Sequence, residues 1–511
     1  MINIIEDYIN SYDGVPLYLR CVVPEGVKSC PIVFSRTPYE DVSKGTLDAD
    51  AYKDDSFIKN GYARVIGHCR GTGNSGGVCV PYKNERDDGL RCLEYIRTLP
   101  FYNGEIYIAG GSYLSTVHLS YLAECPDDIK GAALDIQTDR MYFRNYRNGM
   151  NYNLCNIDWW ARMMKRQYPN ARISEAHRRP YRDAAKRVFG EEVPEFTESL
   201  MNDKYNSFWS NDPRTDAVTR LKIPILLTEG WYDFYIDGMF SMWERLPQEI
   251  KKKSAFVVGP WGHDTKVHSD AEYPLDNGNI PSDYAVKWFN SIRCGSAYEY
   301  AEVGKVNYYS IGADRWIVGD YPEGKSEKKK FFFTKENTMV PCVPHSGSIT
   351  YEYDPEKRSF DFRCGNIYKI TKPDISDGVI SFETESFEEQ TEIFGKVRFS
   401  LSVSSDCDDT AFFARIYLVE NGESYNLTET IGAISYFYED YSAGKRVTIE
   451  LLTPPIAFTV KRGAKLRADI SSYGGLYTPH SNTKEHFAVA EKCKIANNTL
   501  HIGDSFVEIV K

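Results

Sequence analysis

Three short apolar runs, "CPIVFSR" (30–36), "ARVIGHC" (63–69) and "EIYIAGG" (105–111), constrain the fold more than any other feature of the chain. Each is short for a helix and apolar without strict alternation, which suits a strand covered on both faces. Between the second and third, the segment 85–99 sets Leu90, Leu93, Ile96 and Leu99 at near-helical spacing. Strand, helix and strand in that order predict a parallel sheet flanked by helices. Two further apolar runs, 223–230 and 255–262, with a helical stretch at 237–246 between them, predict that the sheet resumes later. The intervening segment, from about Arg140 to Leu221, is helical and mixed sequence rich in Tyr, Trp and Arg. An insertion there predicts a cap over the strand ends, where open α/β sheets bind ligands. Beyond residue 304, successive runs from "KVNYYSI" (305–311) to "KLRADISS" (465–472) alternate polar and apolar residues, as an antiparallel β-sandwich requires. The expected organisation is an α/β domain (1–139 and 222–304), a helical cap (140–221) and a sandwich (305–511), which fits the domain sizes usual for 511 residues.

Composition removes several functions. A net charge of −11 argues against general nucleic-acid binding, which needs basic surface to replace phosphate counterions. Glu6 and Asp7 interrupt the first apolar stretch, as a signal peptide would not allow. The sequence holds no apolar run of the roughly 18–20 residues that span a bilayer, so a cytoplasmic protein without membrane partners is expected. Twelve scattered cysteines without a C-x-x-C pair predict buried free thiols, and neither a metal nor another cofactor is expected.

The segment Gly110-Gly111-Ser112-Tyr113-Leu114 joins the third apolar run to a helical pattern carrying Leu114, Val117, Tyr121 and Leu122. That is the setting of a nucleophile elbow, and equally of a structural Gly-Gly-Ser turn. At the helix start the Tyr113 amide points where an oxyanion would form. A serine hydroxyl needs a base, and the base an orienting acid, in the chain order Ser, Asp or Glu, His. Asp233 follows one later apolar run and His263 the next. Glu229, Asp237 and Asp264 are rivals for the acid, and Asp233 has the alternative role of a helix cap. His263, Asp264 and His268 lack the i, i+4 spacing of a helical zinc motif.

The motifs "SRTPYE" (35–40), "RGTGNSGG" (70–77), "GGSYLS" (110–115), "GWYDFYIDG" (230–238) and "GPWGH" (259–263) occur in order and spacing. Together with "YDGVPLYL" near the start, "YEYDP" (351–355) and "DDTAFFARIYLVENG" (408–422), they resemble the X-Pro dipeptidyl-peptidase-like serine hydrolases, including cocaine esterases, α-amino acid ester hydrolases and cephalosporin acylases. The resemblance implies an α/β-hydrolase domain with an inserted cap and a C-terminal jelly roll. It implies Ser112 as nucleophile, His263 as general base and acid, Asp233 as its partner, and the Tyr39 phenol beside the Tyr113 amide as oxyanion donors. The sequence departs from the pattern at His68, where an acid is usual, and at Ser115, where glycine is usual.

The cap segment 140–190 holds twelve Lys or Arg against three acids. A solvated or ionically paired face is the preferred reading; attraction of a carboxylate-bearing acyl group is the other. Tyr142, Phe143, Tyr146, Tyr152, Trp159, Trp160, Trp231 and Trp261 are candidates for an aromatic pocket, with Trp231 and Trp261 foremost because they flank Asp233 and His263. The function expected is hydrolysis of small esters or amides through an acyl-enzyme on Ser112. The alternatives are an X-Pro dipeptidyl-type aminopeptidase or β-lactam acylase, and a non-catalytic carbohydrate- or partner-binding protein. A homo-oligomer stays open.

Overall fold

The computed structural model describes residues 2–39, 55–124, 127–267, 271–321, 327–357, 369–370, 378–474 and 477–510. Ten strands form the first sheet: β1 (Ile2–Asn10), β2 (Pro16–Pro24), β3 (Cys30–Thr37), β4 (Ala63–His68), β5 (Tyr102–Gly111), β6 (Ile129–Asp135), β7 (Ile225–Gly230), β8 (Ala255–Gly259), β9 (Val306–Ser310) and β10 (Arg315–Gly319). Their order is β1-β2-β4-β3-β5-β6-β7-β8-β9-β10. From β4 to β9 every neighbouring pair is parallel, while β1, β2 and β10 run antiparallel to their neighbours at the two margins. All residues of β3, β7 and β8 are buried, which explains why these strands read as continuous apolar runs. The helices that matter for the site are α1 (Glu85–Ile96), α2 (Tyr113–Leu122), α3 (Asn153–Met163), α4 (Ile236–Arg245) and α5 (Tyr284–Cys294). Helix α1 joins β4 to β5 and α2 joins β5 to β6, so the crossovers fall where the helical spacing placed them.

The run 305–311 does not begin the sandwich. Its core, β9, pairs in parallel with β8 through Phe256↔Val306 and Val258↔Tyr308, and all five of its residues are buried. Asn307 lent the run its polar alternation, yet its side chain is buried and bonded to the Glu302 backbone, accepting from N at 2.8 Å and donating to O at 3.0 Å. The α/β sheet therefore extends to Gly319, and the strands of the second sheet start at Lys328. Among the described residues that second sheet comprises twelve strands, antiparallel in all pairs but one.

Between β6 and β7 the chain forms the helical cap, which has its own core around Trp160, Ala184, Val188, Phe196 and Leu200. Ala488, from the far end of the chain, lies fully buried in that same core. The surrounding segment 477–488 grips the cap: the Tyr152 and Tyr477 hydroxyls meet at 2.8 Å, Arg179 donates to Pro479 O at 2.6 Å, and the Arg182 amide donates to Ala488 O at 2.7 Å.

Most of the cap's basic residues have a structural partner. Arg140 pairs with Asp216, Arg147 with Asp237, Arg178 with Glu175 and Arg182 with Asp183. Arg166 donates to Ser75 O, and Arg187 to the carbonyls of Glu175, Arg178 and Pro180. The charge excess at 140–190 is thus largely a set of ties within and below the cap, with Arg144 and Arg162 placed differently, against aromatic rings.

Because Ala488 is enclosed by cap side chains, Ala488→Asp buries a charge without a partner, at a cost of several kcal/mol. The variant is expected to lower the thermal midpoint and to open 140–221 as the first site of limited proteolysis; a wild-type cleavage pattern would contradict the cap–sandwich coupling.

Candidate active site

Ser112 is the single residue between β5 and α2, and its backbone is left-handed, with φ 55° and ψ −125°. A non-glycine residue in such a region costs on the order of 1–3 kcal/mol and needs surroundings that hold it there. Those surroundings are visible. The Ser112 amide donates to Asp135 O on β6 at 2.9 Å, and its carbonyl accepts from the Ser115 and Thr116 amides, both at 3.0 Å. Gly110 has to be glycine, since a Cβ there would lie 2.5 Å from Leu114 O. Ser115 is fully buried; its hydroxyl donates to Gly110 O and accepts from the Asp135 amide at 3.1 Å. One side chain so ties β5, β6 and α2 together around the bend.

The elbow points Ser112 Oγ at His263 Nε2, 2.8 Å away, and His263 Nδ1 meets Asp233 Oδ2 at 2.5 Å. Asp233 is 3% exposed, and its other oxygen accepts from the Tyr235 amide at 2.7 Å. The loops carrying acid and base are bound to each other: the Trp231 amide donates to Gly259 O and the Tyr232 amide to Trp261 O, both at 2.9 Å. Gly230 permits this approach, because a Cβ would sit 2.2 Å from Trp261 O. The His263 ring stacks on Phe234 with centroids 4.8 Å apart.

The wall beside this relay is aromatic. Tyr39, Tyr82 and Trp159 pack with Tyr113, Val117 and Cys69. Tyr113 is the first residue of α2, so its amide has no carbonyl one helical turn back. Its ring is anchored from below: the phenol donates to Glu85 at 2.7 Å and accepts from the Tyr82 amide at 2.8 Å, and Glu85 pairs with the fully buried Arg36 at 2.9 Å.

Comparison with known proteins gives the family and the fold. A family model described as X-Pro dipeptidyl-peptidase (S15 family) matches residues 13–265, and the model of the C-terminal non-catalytic domain of the same peptidases matches residues 302–507. The chain belongs to the S15 family. Among its relatives, the cocaine esterase of Rhodococcus sp. (strain MB1 Bresler) is 22% identical over 474 residues, 83% of this chain and 82% of the relative. In fold it is similar to an aminopeptidase from a marine sediment Thaumarchaeota archaeon (TM-score 0.82, 16% identity, covering 100% of this chain and 96% of that one). It is also similar to an α-amino acid ester hydrolase (TM-score 0.81, 18% identity, 100% and 97% covered). This S15 protein is a serine hydrolase built as an α/β-hydrolase domain followed by a C-terminal β-sandwich domain.

Within this S15 hydrolase the structure brings Ser112, His263, Asp233, Tyr39 and Tyr113 to one edge of the sheet, while of the rival acids Asp264 stays beside His263 and its charge bears on that ring. Asp237 faces Arg147 and Lys396. Glu229 is buried behind the relay, accepting from the Gly230 amide at 2.8 Å; burial, and then the Asp233 charge, push its carboxyl well above the usual range. His268 lies outside the described residues. Among the described residues no group of His, Cys, Asp and Glu is arranged to hold a metal ion.

Trp231 and Trp261 do not line a pocket. They are 3% and 0% exposed, and their indoles donate inward, to Tyr309 O at 2.8 Å and to Gly278 O at 2.9 Å. Sequence proximity to Asp233 and His263 placed their backbones correctly, but the loops turn both rings into the core. The rings against His263 are Phe234 and Tyr235, while Tyr82 and, from the aromatic group expected in the cap, Trp159 pack against Tyr113. Phe234 and Tyr235 stand inside the quoted motif around Asp233, so position beside the acid was the available signal; Tyr82 offered none.

His68, where the family usually has an acid, is buried, and its Nδ1 accepts from the Asn74 amide at 2.9 Å. Burial lowers its pKa to about 4, with a smaller push from Arg20, so a neutral ring braces the 70–77 loop.

His263 balances opposing influences. Burial lowers its pKa, the charge and hydrogen bond of Asp233 raise it, Arg144 lowers it, and the net result lies above the ordinary imidazole value. A base must be neutral to accept a proton, so kcat/KM should rise with pH through that elevated pKa. In Asp233→Asn the two largest raising influences vanish and only the charge of Asp264 remains: the rising limb should move to lower pH and kcat fall by about 10⁴-fold. An unmoved limb in a pH–rate profile would detach Asp233 from His263.

Ser115→Ala removes a hydroxyl that serves two buried backbone groups, a loss of about 1–3 kcal/mol. A thermal midpoint several degrees lower is expected; an unchanged midpoint would mean that the elbow does not depend on this side chain.

Proposed function

We propose that Ser112 is the nucleophile in a two-step hydrolysis of small esters or amides, with His263 as general base and acid and Asp233 as its orienting partner. The observation that carries this reading is the continuous relay from Ser112 Oγ through the imidazole to the buried Asp233 carboxylate. In acylation Ser112 Oγ attacks the substrate carbonyl carbon while His263 Nε2 takes the hydroxyl proton. The imidazolium is stabilised by Asp233, whose remaining oxygen stays fixed by the Tyr235 amide. The carbonyl oxygen becomes an oxyanion and accepts hydrogen bonds from the Tyr113 amide and the Tyr39 phenol. Collapse re-forms the carbonyl, breaks the bond to the leaving group, and passes the proton from Nε2 to that group. Water then repeats the sequence: His263 takes its proton, the hydroxyl adds to the acyl carbon, and the proton returns to Ser112 as the acid departs.

Esters are the better substrates on this reading, because an alkoxide or phenoxide leaving group demands less acid catalysis than an amine. Capture of a free α-amino end, as an X-Pro aminopeptidase needs, calls for an acidic group; the charges that bear on His263 besides Asp233 are those of Arg144 and Asp264. We place the reaction in the cytoplasm: the described cysteines, including buried Cys21, Cys30, Cys69, Cys79, Cys92 and Cys407, are free thiols, which reducing compartments preserve.

A fluorophosphonate probe should label wild type and leave Ser112→Ala unlabelled, and the same substitution should reduce turnover of a p-nitrophenyl acyl ester by about 10⁴-fold or more. Full activity in Ser112→Ala would refute the mechanism; unlabelled, inactive wild-type protein would favour a binding role for the scaffold.

A further inference from the structure

His263 is the open member of the relay: 37% of its side-chain surface is exposed, whereas Asp233 is enclosed. A base that has to meet both substrate and water cannot be buried on every side, so its orientation rests on a few contacts. Two of them are hydrogen bonds at the ring nitrogens, Nδ1 to Asp233 Oδ2 and Nε2 to Ser112 Oγ at 2.8 Å. Two such bonds fix a line through the ring, about which it can still roll. Contact with the ring's face stops the roll, and Phe234 supplies it, with its plane 23° from that of the imidazole and its centre 4.8 Å away.

The acid itself sets the place of Phe234. The Asp233 carboxylate accepts from the Tyr235 amide at 2.7 Å, an Asx-turn that closes over residue 234. Tyr235, which is buried, backs the Phe234 ring at 4.4 Å and reaches the imidazole at 5.8 Å. One turn so presents a carboxylate to the edge of the imidazole and a phenyl ring to its face. The face contact also outlasts one of the bonds. Once Ser112 is acylated its Oγ has no proton to donate, and Asp233 and Phe234 are left to hold the ring while Nε2 takes a proton from water.

We propose that Phe234 is a positioning residue for His263: its ring fixes the plane of the imidazole, and its π face stabilises the imidazolium formed when Nε2 takes a proton. This rests on the role given to His263 above. The charges that bear on that ring are Asp233 and Asp264, which favour the imidazolium, and Arg144, which opposes it. Tyr235 stays neutral, since burial raises its phenol well above the usual range. Phe234 adds an attraction of another kind. A cation within about 6 Å of an aromatic centre is drawn to the negative face of the ring, and a neutral imidazole is not. The support therefore grows as the proton is transferred, which is the condition for lowering a barrier.

The test compares Phe234→Leu, which keeps apolar bulk and removes the face, with Phe234→Tyr, which keeps the face. Both are read as kcat and KM on a p-nitrophenyl ester across pH, with thermal midpoints confirming that each variant is folded. Phe234→Leu should lower kcat on the order of tenfold with KM no higher than in wild type. It should also move the rising limb of kcat/KM to lower pH by roughly 0.3–0.7 unit, as loss of an attraction specific to the imidazolium requires. Phe234→Tyr should recover most of both effects. Full kcat in Phe234→Leu, with Ser112→Ala inactive, would overturn the proposal and leave the triad standing. So would a limb that stays in place or moves to higher pH, because the ring would then act only by excluding water. Equal losses in the two variants would overturn it as well, since the loop would then need the exact packing of Phe234 and not its face. An active Ser112→Ala would remove the triad reading, and the role of Phe234 with it.

Discussion

The left-handed backbone of Ser112 is the constraint on which the rest of the site depends. A serine at φ 55° is held only because three elements converge on one bend: β5 brings Gly110, β6 brings the Asp135 backbone, and α2 brings Ser115 and Thr116. The bend ends the strand and starts the helix within one residue, leaving Oγ above the sheet edge and the Tyr113 amide beside it. Beneath, the buried Arg36–Glu85 pair fixes the Tyr113 phenol and thereby the first turn of α2. Burying such a pair costs desolvation that its attraction must offset. What it supplies here is orientation, since both charges are enclosed by the elements that carry the elbow.

A second constraint is electrostatic. Asp233 is enclosed, and its charge bears on two neighbours: it helps to raise the His263 pKa against burial, and it adds to the burial that pushes the Glu229 carboxyl well above the usual range. Asp233, held in place by the Tyr235 amide, is the carboxylate that the imidazole meets at Nδ1. Loop-to-loop bonds between Trp231 and Gly259, and between Tyr232 and Trp261, set that distance without help from the cap.

Much of this was legible in the sequence, for identifiable reasons. Strands covered on both faces read as apolar runs, and residues at their carboxyl ends fall into one row, so the order of Ser112, Asp233 and His263 implied their meeting. Side-chain direction in loops carries no such regularity. Trp231 and Trp261 sit beside the right residues and point the wrong way, anchored inward by Tyr309 O and Gly278 O. Asn307 misled for a related reason, since a polar residue satisfied by nearby backbone mimics the exposed position of an alternating strand. Ser115 stood out only as a departure from glycine. Its two hydrogen bonds depend on β6 lying beside β5, a neighbour relation that local pattern does not encode.

The burial of Ala488 among cap residues has a consequence for how this architecture is inherited. The unit that shapes the approach to Ser112 is not one stretch of sequence: it joins 140–221 to a short segment near the other end of the chain. Exchange of the cap alone between related enzymes would leave Ala488, Pro479 and Tyr477 facing a surface they do not match. A change in the cap face that meets Ala488 therefore has to be matched in the distant segment, and a chimera that respects the fold has two grafts and four junctions.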